Sequence, residues 1–277
     1  RWVLVVDVEA DTAFAVDHAR DEAWIGGPLW NAAGWMPDGR RIWFVSEASG
    51  FAHLYTVPVG GGAATPLTSG PWEVTEVELD EDAGLFRLQT SEASPFERHL
   101  YTMPLGGGER RRLTEAVGRH DGVWSPDGAR IAVLHSTANR PPELYLQDAR
   151  PGARPQRLTE STTPAFRAYD WRVPEIVTFR ASDGTDVPAR LYRPERPNGA
   201  AVVFVHGAGY LQNVHRWWSS YEREYMFHNL LADRGYTVLD IDYRGSAGYG
   251  RDWRTAVYRH MGGRDLQDQV DGARYLV

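Results

Sequence analysis

At 277 residues with 42% apolar and 12% aromatic side chains, the chain can fill two cores, and its net charge of −7 argues against a surface that tracks phosphates. The absence of cysteine excludes thiol nucleophiles and disulfides, and because all 30 basic residues are arginine there is no Schiff-base or phosphate-loop lysine. No window approaches 18 consecutive apolar residues, so nothing reads as a membrane-spanning helix.

In chain order, residues 2–8 and 14–17 read as the second half of a β-propeller blade. The chain starts at Arg1 without methionine or an apolar leader, so any signal peptide is expected upstream. One pattern then occurs three times: an aspartate-glycine type turn, an apolar strand, a strand carrying Leu-Tyr, and a closing Leu-Thr. The first copy has Asp38-Gly39, residues 42–45, Leu54-Tyr55 and Leu67-Thr68. The second has Asp82-Ala83-Gly84, residues 85–88, Leu100-Tyr101 and Leu113-Thr114. The third has Asp127-Gly128, residues 131–134, Leu144-Tyr145 and Leu158-Thr159.

Leu-Tyr recurs after 46 and then 44 residues, and Leu-Thr after 46 and then 45, a period suited to one four-stranded blade per copy. The aspartate-glycine turns supply the positive φ of tight hairpins, and Gly60 to Gly62 and Gly106 to Gly108 link the later strands. Because a propeller closes with four to eight blades, about three and a half imply further sequence upstream. The Arg110-Arg111-Arg112 run, beside Glu109 and Glu115, reads as a solvated strand face.

After Thr159 the period stops, and residues 167–174 read as a crossing into a second domain. Residues 176–179 and 187–192 form a hairpin around Asp183-Gly184. Residues 200–205 are a continuous apolar run, expected as a strand buried on both faces of a mainly parallel sheet. They lead into His206-Gly207-Ala208-Gly209. Ser219 with Glu222 three residues on is a capping box opening a helix that Gly235 closes. Residues 236–241 are the next buried strand and 242–250 the loop leaving it. Two helices follow, one aligning Trp253, Ala256, Val257 and His260, the other Leu266, Val270, Ala273 and Val277. The fold class is therefore multidomain: part of an all-β propeller over residues 1–172, then part of an α/β domain over 173–277.

These segments, in this order, resemble the prolyl oligopeptidase clan, in which a propeller is joined to an α/β-hydrolase domain. Trp24-Ile25-Gly26, residues 70–74 and the 242–250 loop followed by Gly262, Asp265 and Asp268 resemble its dipeptidyl-peptidase IV branch. The resemblance implies a serine peptidase acting on short peptides, with a Ser-His-Asp triad and no metal or organic cofactor. None of the triad is reached: Gly245-Ser246-Ala247-Gly248 fails G-x-S-x-G because position 244 is arginine. The serine elbow is expected beyond Val277, and the chain alone is expected to be inactive and poorly stable.

The resemblance also implies an oxyanion-hole loop at His206, Gly207, Ala208 and Tyr210. Where the dipeptidyl-peptidase IV branch has a tyrosine that donates through its hydroxyl, this sequence has His206. The match is closer to acylaminoacyl peptidases, whose backbone N–H donates; Tyr210 is the alternative side-chain donor.

Trp72 and Glu73 are candidates for the substrate chamber, against a reading as blade core. Asp242 and Arg244 are expected to pair and hold their loop, and Asp265 and Asp268 to cap and anchor. His206, His215 and His228 lack the spacing of a metal set. The implied partners are a short peptide and, for the complete enzyme, a second copy as a homodimer, with no nucleic acid. Bacterial relatives imply a secreted or periplasmic location, and the acidic pair that grips a substrate amine is expected upstream of Arg1. The alternatives are a peptide-binding protein with a non-catalytic hydrolase domain and an esterase of the same fold.

Overall fold

The computed structural model describes residues 1–277. It begins with an antiparallel hairpin of β1 (Trp2–Asp7) and β2 (Thr12–His18). A four-stranded antiparallel sheet follows, made of β3 (Ala33–Trp35), β4 (Arg41–Ser46), β5 (His53–Pro58) and β6 (Thr65–Pro66) in sequence order. A second contains β7 (Val74–Asp80), β8 (Leu85–Thr90), β9 (His99–Pro104) and β10 (Arg111–Arg112), and a third β11 (Arg119–Trp124), β12 (Arg130–Thr137), β13 (Arg140–Asp148) and β14 (Gln156–Arg157). The chain thus contains three full propeller blades and a two-stranded half blade, as the repeat predicts.

The repeated residue types have a shared physical role. In each blade the threonine of Leu-Thr accepts from the backbone N–H of the leucine in Leu-Tyr: Thr68 from Leu54 at 3.0 Å, Thr114 from Leu100 at 3.1 Å, Thr159 from Leu144 at 2.9 Å. The residue just before that leucine closes the knot through its side chain, His53 and His99 by Nδ1 and Glu143 by a carboxylate oxygen. A short outer strand is thereby fastened by a side chain where its ladder is only two residues long. Apolar clusters glue neighbouring blades, the largest around Val45, Leu54, Val74, Phe86 and Leu88. Gly122 admits Leu100, whose Cδ1 would lie 2.4 Å from an added Cβ.

One short helix, α1 (Pro164–Ala168), capped by the Thr163 hydroxyl, overlaps the start of the crossing at 167–174. Then come β15 (Glu175–Arg180), β16 (Asp186–Tyr192), β17 (Ala201–Phe204), α2 (Glu222–Asp233), β18 (Thr237–Ile241), α3 (Arg251–Arg254) and α4 (Arg264–Tyr275). The sheet order is β15-β16-β18-β17, with only β17 and β18 parallel. Leu239 and Ile241 face α4, while Val238 packs with Tyr225 and Ala232 of α2, so the two helices cover opposite faces.

Within this chain the run at 200–205 forms β17, whose residues are exposed or half-buried, and β18 lies between it and β16. Two expectations are corrected. Ser219 does not make a capping box, because its Oγ accepts from Tyr221 N at 3.0 Å and α2 starts at Glu222 with no side-chain cap. The helix at Trp253 is a single turn, and His260 is exposed. In α4 the aligned residues Leu266, Val270 and Ala273 lie on the exposed side, and the helix turns Asp268, Asp271 and Gly272 to the sheet. Asp268 meets a buried arginine there, and an added Cβ at Gly272 would lie 2.4 Å from Ile241, which explains this orientation.

Candidate active-site loop

The segment 206–214 leaves the C-terminal end of β17 and lies against the loop that follows β18. One carboxylate organises both. Asp242 is fully buried, and its Oδ1 accepts from Asn213 N at 2.8 Å and from His206 Nε2 at 3.0 Å. Its Oδ2 accepts from Val214 N at 3.0 Å and the Tyr249 hydroxyl at 2.7 Å. Because these donors come from both ends of the segment, Asp242 closes it like a drawstring. Tyr243 adds a hydroxyl bond to the His206 carbonyl, and Gly209 N donates to Gly245 O.

Burial alone would make His206 less basic, but the bonded Asp242 carboxylate outweighs it and raises the imidazole above its ordinary pKa. Nδ1 faces the Gly207 carbonyl at 2.9 Å, so a doubly protonated ring satisfies both contacts.

Ser246 Oγ lies 3.3 Å from His206 Nε2, which brings the three residue types of a nucleophile triad together. The geometry is wrong for base catalysis, which needs the serine and the carboxylate on opposite ring nitrogens. Here both address Nε2, and that nitrogen's proton goes to Asp242. The Ser246 hydroxyl donates to Tyr243 O at 2.7 Å and is fully buried. The cluster braces the loop.

The anticipated pairing of Asp242 with Arg244 is not made. Arg244 instead grips Asp268, with an Nη2 to Oδ1 distance of 2.6 Å, and reaches Asp183 in the β15–β16 turn. Asp265 accepts from Gly262 N at 3.0 Å, anchoring the entrance to α4. His206, His215 and His228 do not converge: His215 stacks on Trp217 at 3.9 Å, and His228 meets the edges of Tyr192 and Phe204.

At the head of the segment, the backbone N–H groups of Gly207, Ala208 and Tyr210 have no acceptor within the protein. The Tyr210 side chain is exposed, with its hydroxyl folded back over Gly207, 2.9 Å from where a Cβ would stand. Tyr210 opens onto a cavity of about 600 Å³ between the blades and the second sheet, lined by Tyr210, Gln212 and Trp217 on one side and Glu73, Arg98 and Arg119 on the other.

Glu73 therefore reaches this cavity, while Trp72 does not. Trp72 packs in the blade core, edge-on to His53 at 4.8 Å and under the Arg110 guanidinium at 4.9 Å. Burial raises the Glu73 carboxyl above the usual range, only partly offset by Arg98 and Arg254, and its Oε2 has no hydrogen-bond partner. Nearby, Glu47 pairs with Arg254 across the seam at 2.5 Å, yet burial still lifts its carboxyl to about 7. Sequence reasoning missed Gln212, Asn213, Arg98 and the Glu47–Arg254 pair. The one local signal was the Gln212-Asn213 pair, three residues beyond the glycine-rich turn.

The chain matches two family models: one described as "Dipeptidyl peptidase IV (DPP IV) N-terminal region" over residues 1–142, the other as "Prolyl oligopeptidase family" over 220–277. It is 24% identical over 295 residues to a probable dipeptidyl peptidase 4 of Aspergillus flavus, covering 98% of this chain and 37% of that protein. It is 28% identical over 275 residues to human dipeptidyl peptidase 8, covering 84% of this chain and 30% of that protein. The crystal structure of Porphyromonas gingivalis dipeptidyl peptidase 4 superposes with a TM-score of 0.78 at 24% identity, covering 97% of this chain and 38% of that one. The chain spans about a third of the length of these relatives.

Proposed function

The chain belongs to the prolyl oligopeptidase and dipeptidyl peptidase IV family, and on that premise we propose that the protein carrying it cleaves short peptides by serine chemistry, with the head of the 206–214 segment supplying oxyanion donors. The observation that carries this reading is the set of free amides at Gly207 and Ala208, on the turn that leads into Tyr210, which lines a cavity large enough for a few residues of peptide. As a peptide carbonyl is attacked, negative charge grows on its oxygen. Fixed N–H donors already in place stabilise that charge without reorganising, and one such donor is worth roughly a hundredfold or more in rate.

The part of each residue follows from its geometry. Gly207 and Ala208 donate through the backbone, and Tyr210 can add its hydroxyl from the rim. Glu73, Arg98 and Arg119 give the opposite wall its polarity. Asp242, His206 and Asn213 hold the donors in place and touch no substrate. In this reading the blades extend to residue 172 and the hydrolase begins at 173, between β14 and β15.

The nucleophile is assigned to no residue of this chain, since it contains no G-x-S-x-G. The test uses the full-length protein. It is incubated with dipeptidyl and acylaminoacyl chromogenic substrates and with a fluorophosphonate probe, and the labelled peptide is mapped. Turnover with a single labelled serine outside residues 1–277 supports the reading. Absence of both, in folded protein, refutes it.

A further inference from the structure

The proposed donors sit on a loop whose far end is held from two sides: Asn213 and Val214 bond to Asp242 and Asp240 at the end of their own sheet, and Gln212 reaches into the blades. Gln212 leaves the α/β part and enters the blade formed by β7 to β10. Its Oε1 accepts from Arg98 Nη2 at 2.7 Å, and its Nε2 donates to Pro95 O at 2.9 Å and to Val214 O at 3.3 Å. The carboxamide is thus used at both ends, with acceptor and donor each facing a fixed partner.

Arg98 is itself immobilised. Nη1 donates to the Pro95 and Glu97 carbonyls at 3.0 and 2.8 Å, and the guanidinium stands 4.9 Å from the ring of Trp217, further along the same segment. Arg216 N donates to Phe96 O at 2.9 Å, tying the segment to the same blade turn. Gly248 makes room for the clamp, because a Cβ there would lie 2.4 Å from the Gln212 carboxamide.

We infer that Gln212 and Arg98 are positioning residues through which the propeller sets the placement of the backbone donors at Gly207 and Ala208. This inference rests on the oxyanion reading of the loop. Asp242 and Asp240 hold the segment from the side of its own sheet. The clamp adds a second hold from the blade side. Since a displacement of about 1 Å in a donor can lower a rate about a hundredfold, a contact that only points the loop becomes visible in kcat. Neither residue is assigned contact with the reacting atoms.

The test compares full-length wild type with Gln212→Met, which keeps side-chain length and removes all three polar contacts. Expected for Gln212→Met is a kcat of the folded fraction lowered about 10- to 100-fold on a dipeptidyl or acylaminoacyl substrate, with KM within about threefold, beside the modest fall in urea midpoint that follows from leaving a buried Arg98 N–H unpaired. A merely structural residue would lower the midpoint and leave the kcat of the folded fraction intact. Hydrogen exchange provides an arm independent of activity: the amides of Gly209, Asn213 and Val214 are expected to exchange about tenfold faster in Gln212→Met. Active wild type together with a Gln212→Met that keeps kcat within about twofold and exchanges normally would overturn the clamp and leave the peptidase reading intact. Inactive, unlabelled wild type with the predicted loosening would support the clamp and discard that reading.

Discussion

Replacing Asp242 is the sharpest test of how the candidate site is built. Asp242→Ala strips the acceptor from two backbone N–H groups, a tyrosine hydroxyl and an imidazolium, all within 2.7 to 3.0 Å of the carboxylate. Each buried donor left unsatisfied costs about 1–3 kcal/mol, and removing one partner of a buried ion pair costs about 3–5 kcal/mol. With some relaxation and water entry, the expected loss is about 4 kcal/mol, or roughly 8–16 °C in Tm. Asp242→Asn recovers little, because either oxygen replaced by NH2 would meet two donors.

The pH dependence carries the specific signature. His206 has a raised pKa in the folded state, so its contribution is complete below the unfolded value of about 6.5 and is lost as pH rises through the higher folded value. Urea melts followed by fluorescence between pH 5.5 and 8.5 should show this loss in wild type. The difference between wild type and Asp242→Ala should therefore shrink as pH rises. A loss under about 1 kcal/mol, or a difference flat with pH, would refute the drawstring account.

Three further outcomes are expected. The 277-residue chain should release no product from dipeptidyl or acylaminoacyl substrates and take no fluorophosphonate label, and Ser246→Ala should change neither result; stoichiometric labelling of Ser246 would reverse the geometric argument. His120 stacks on His135 at 4.4 Å and on His99 at 4.9 Å, and burial and the neighbouring ring lower its pKa to about 3. Its contribution is complete above about pH 6.5 and lost as pH falls below that, so His120→Phe should flatten the acid limb of a stability profile. Gly118→Ala places a Cβ 2.0 Å from the Ser136 carbonyl at a φ of +127°, so a loss of about 2 kcal/mol or more is expected by urea melt.

The blades were legible because their chemistry repeats locally. An aspartate-glycine turn and a threonine about 14 residues beyond its leucine carry their own bonding instructions, and three copies expose the period. Periodicity was weaker in the second sheet. It aligned the apolar residues of α4 but left their orientation open, because Gly272 and the aspartates that meet Arg244 and Ser182 dictate which side faces inward. Likewise, Asp242 and Arg244 are two residues apart in the loop but choose partners 36 and 24 residues away, His206 and Asp268. Sequence proximity suggested a pair, but each side chain meets a buried partner on another element. The clamp at Gln212 spans 114 residues to Arg98, a distance over which no local pattern speaks.

The lack of lysine has a physical consequence for these long-range contacts. Arg98, Arg190, Arg244 and Arg254 are all buried, and each meets more than one group or a carboxylate held in a fixed direction. An ammonium is strongly hydrated and offers a point charge, so taking it into such a seam would shift its proton off before it pinned a loop. The guanidinium remains charged when buried and divides its N–H groups among several acceptors in one plane. Arg244 uses that fork to hold the β18 loop to both α4 and the β15–β16 turn, and Arg98 uses it to join a blade turn to Gln212. Replacing Arg244 with lysine should therefore destabilise the chain by about as much as removing the charge altogether, roughly 3 kcal/mol. A lysine variant that melts like wild type would mean that charge, and not the fork, holds the loop.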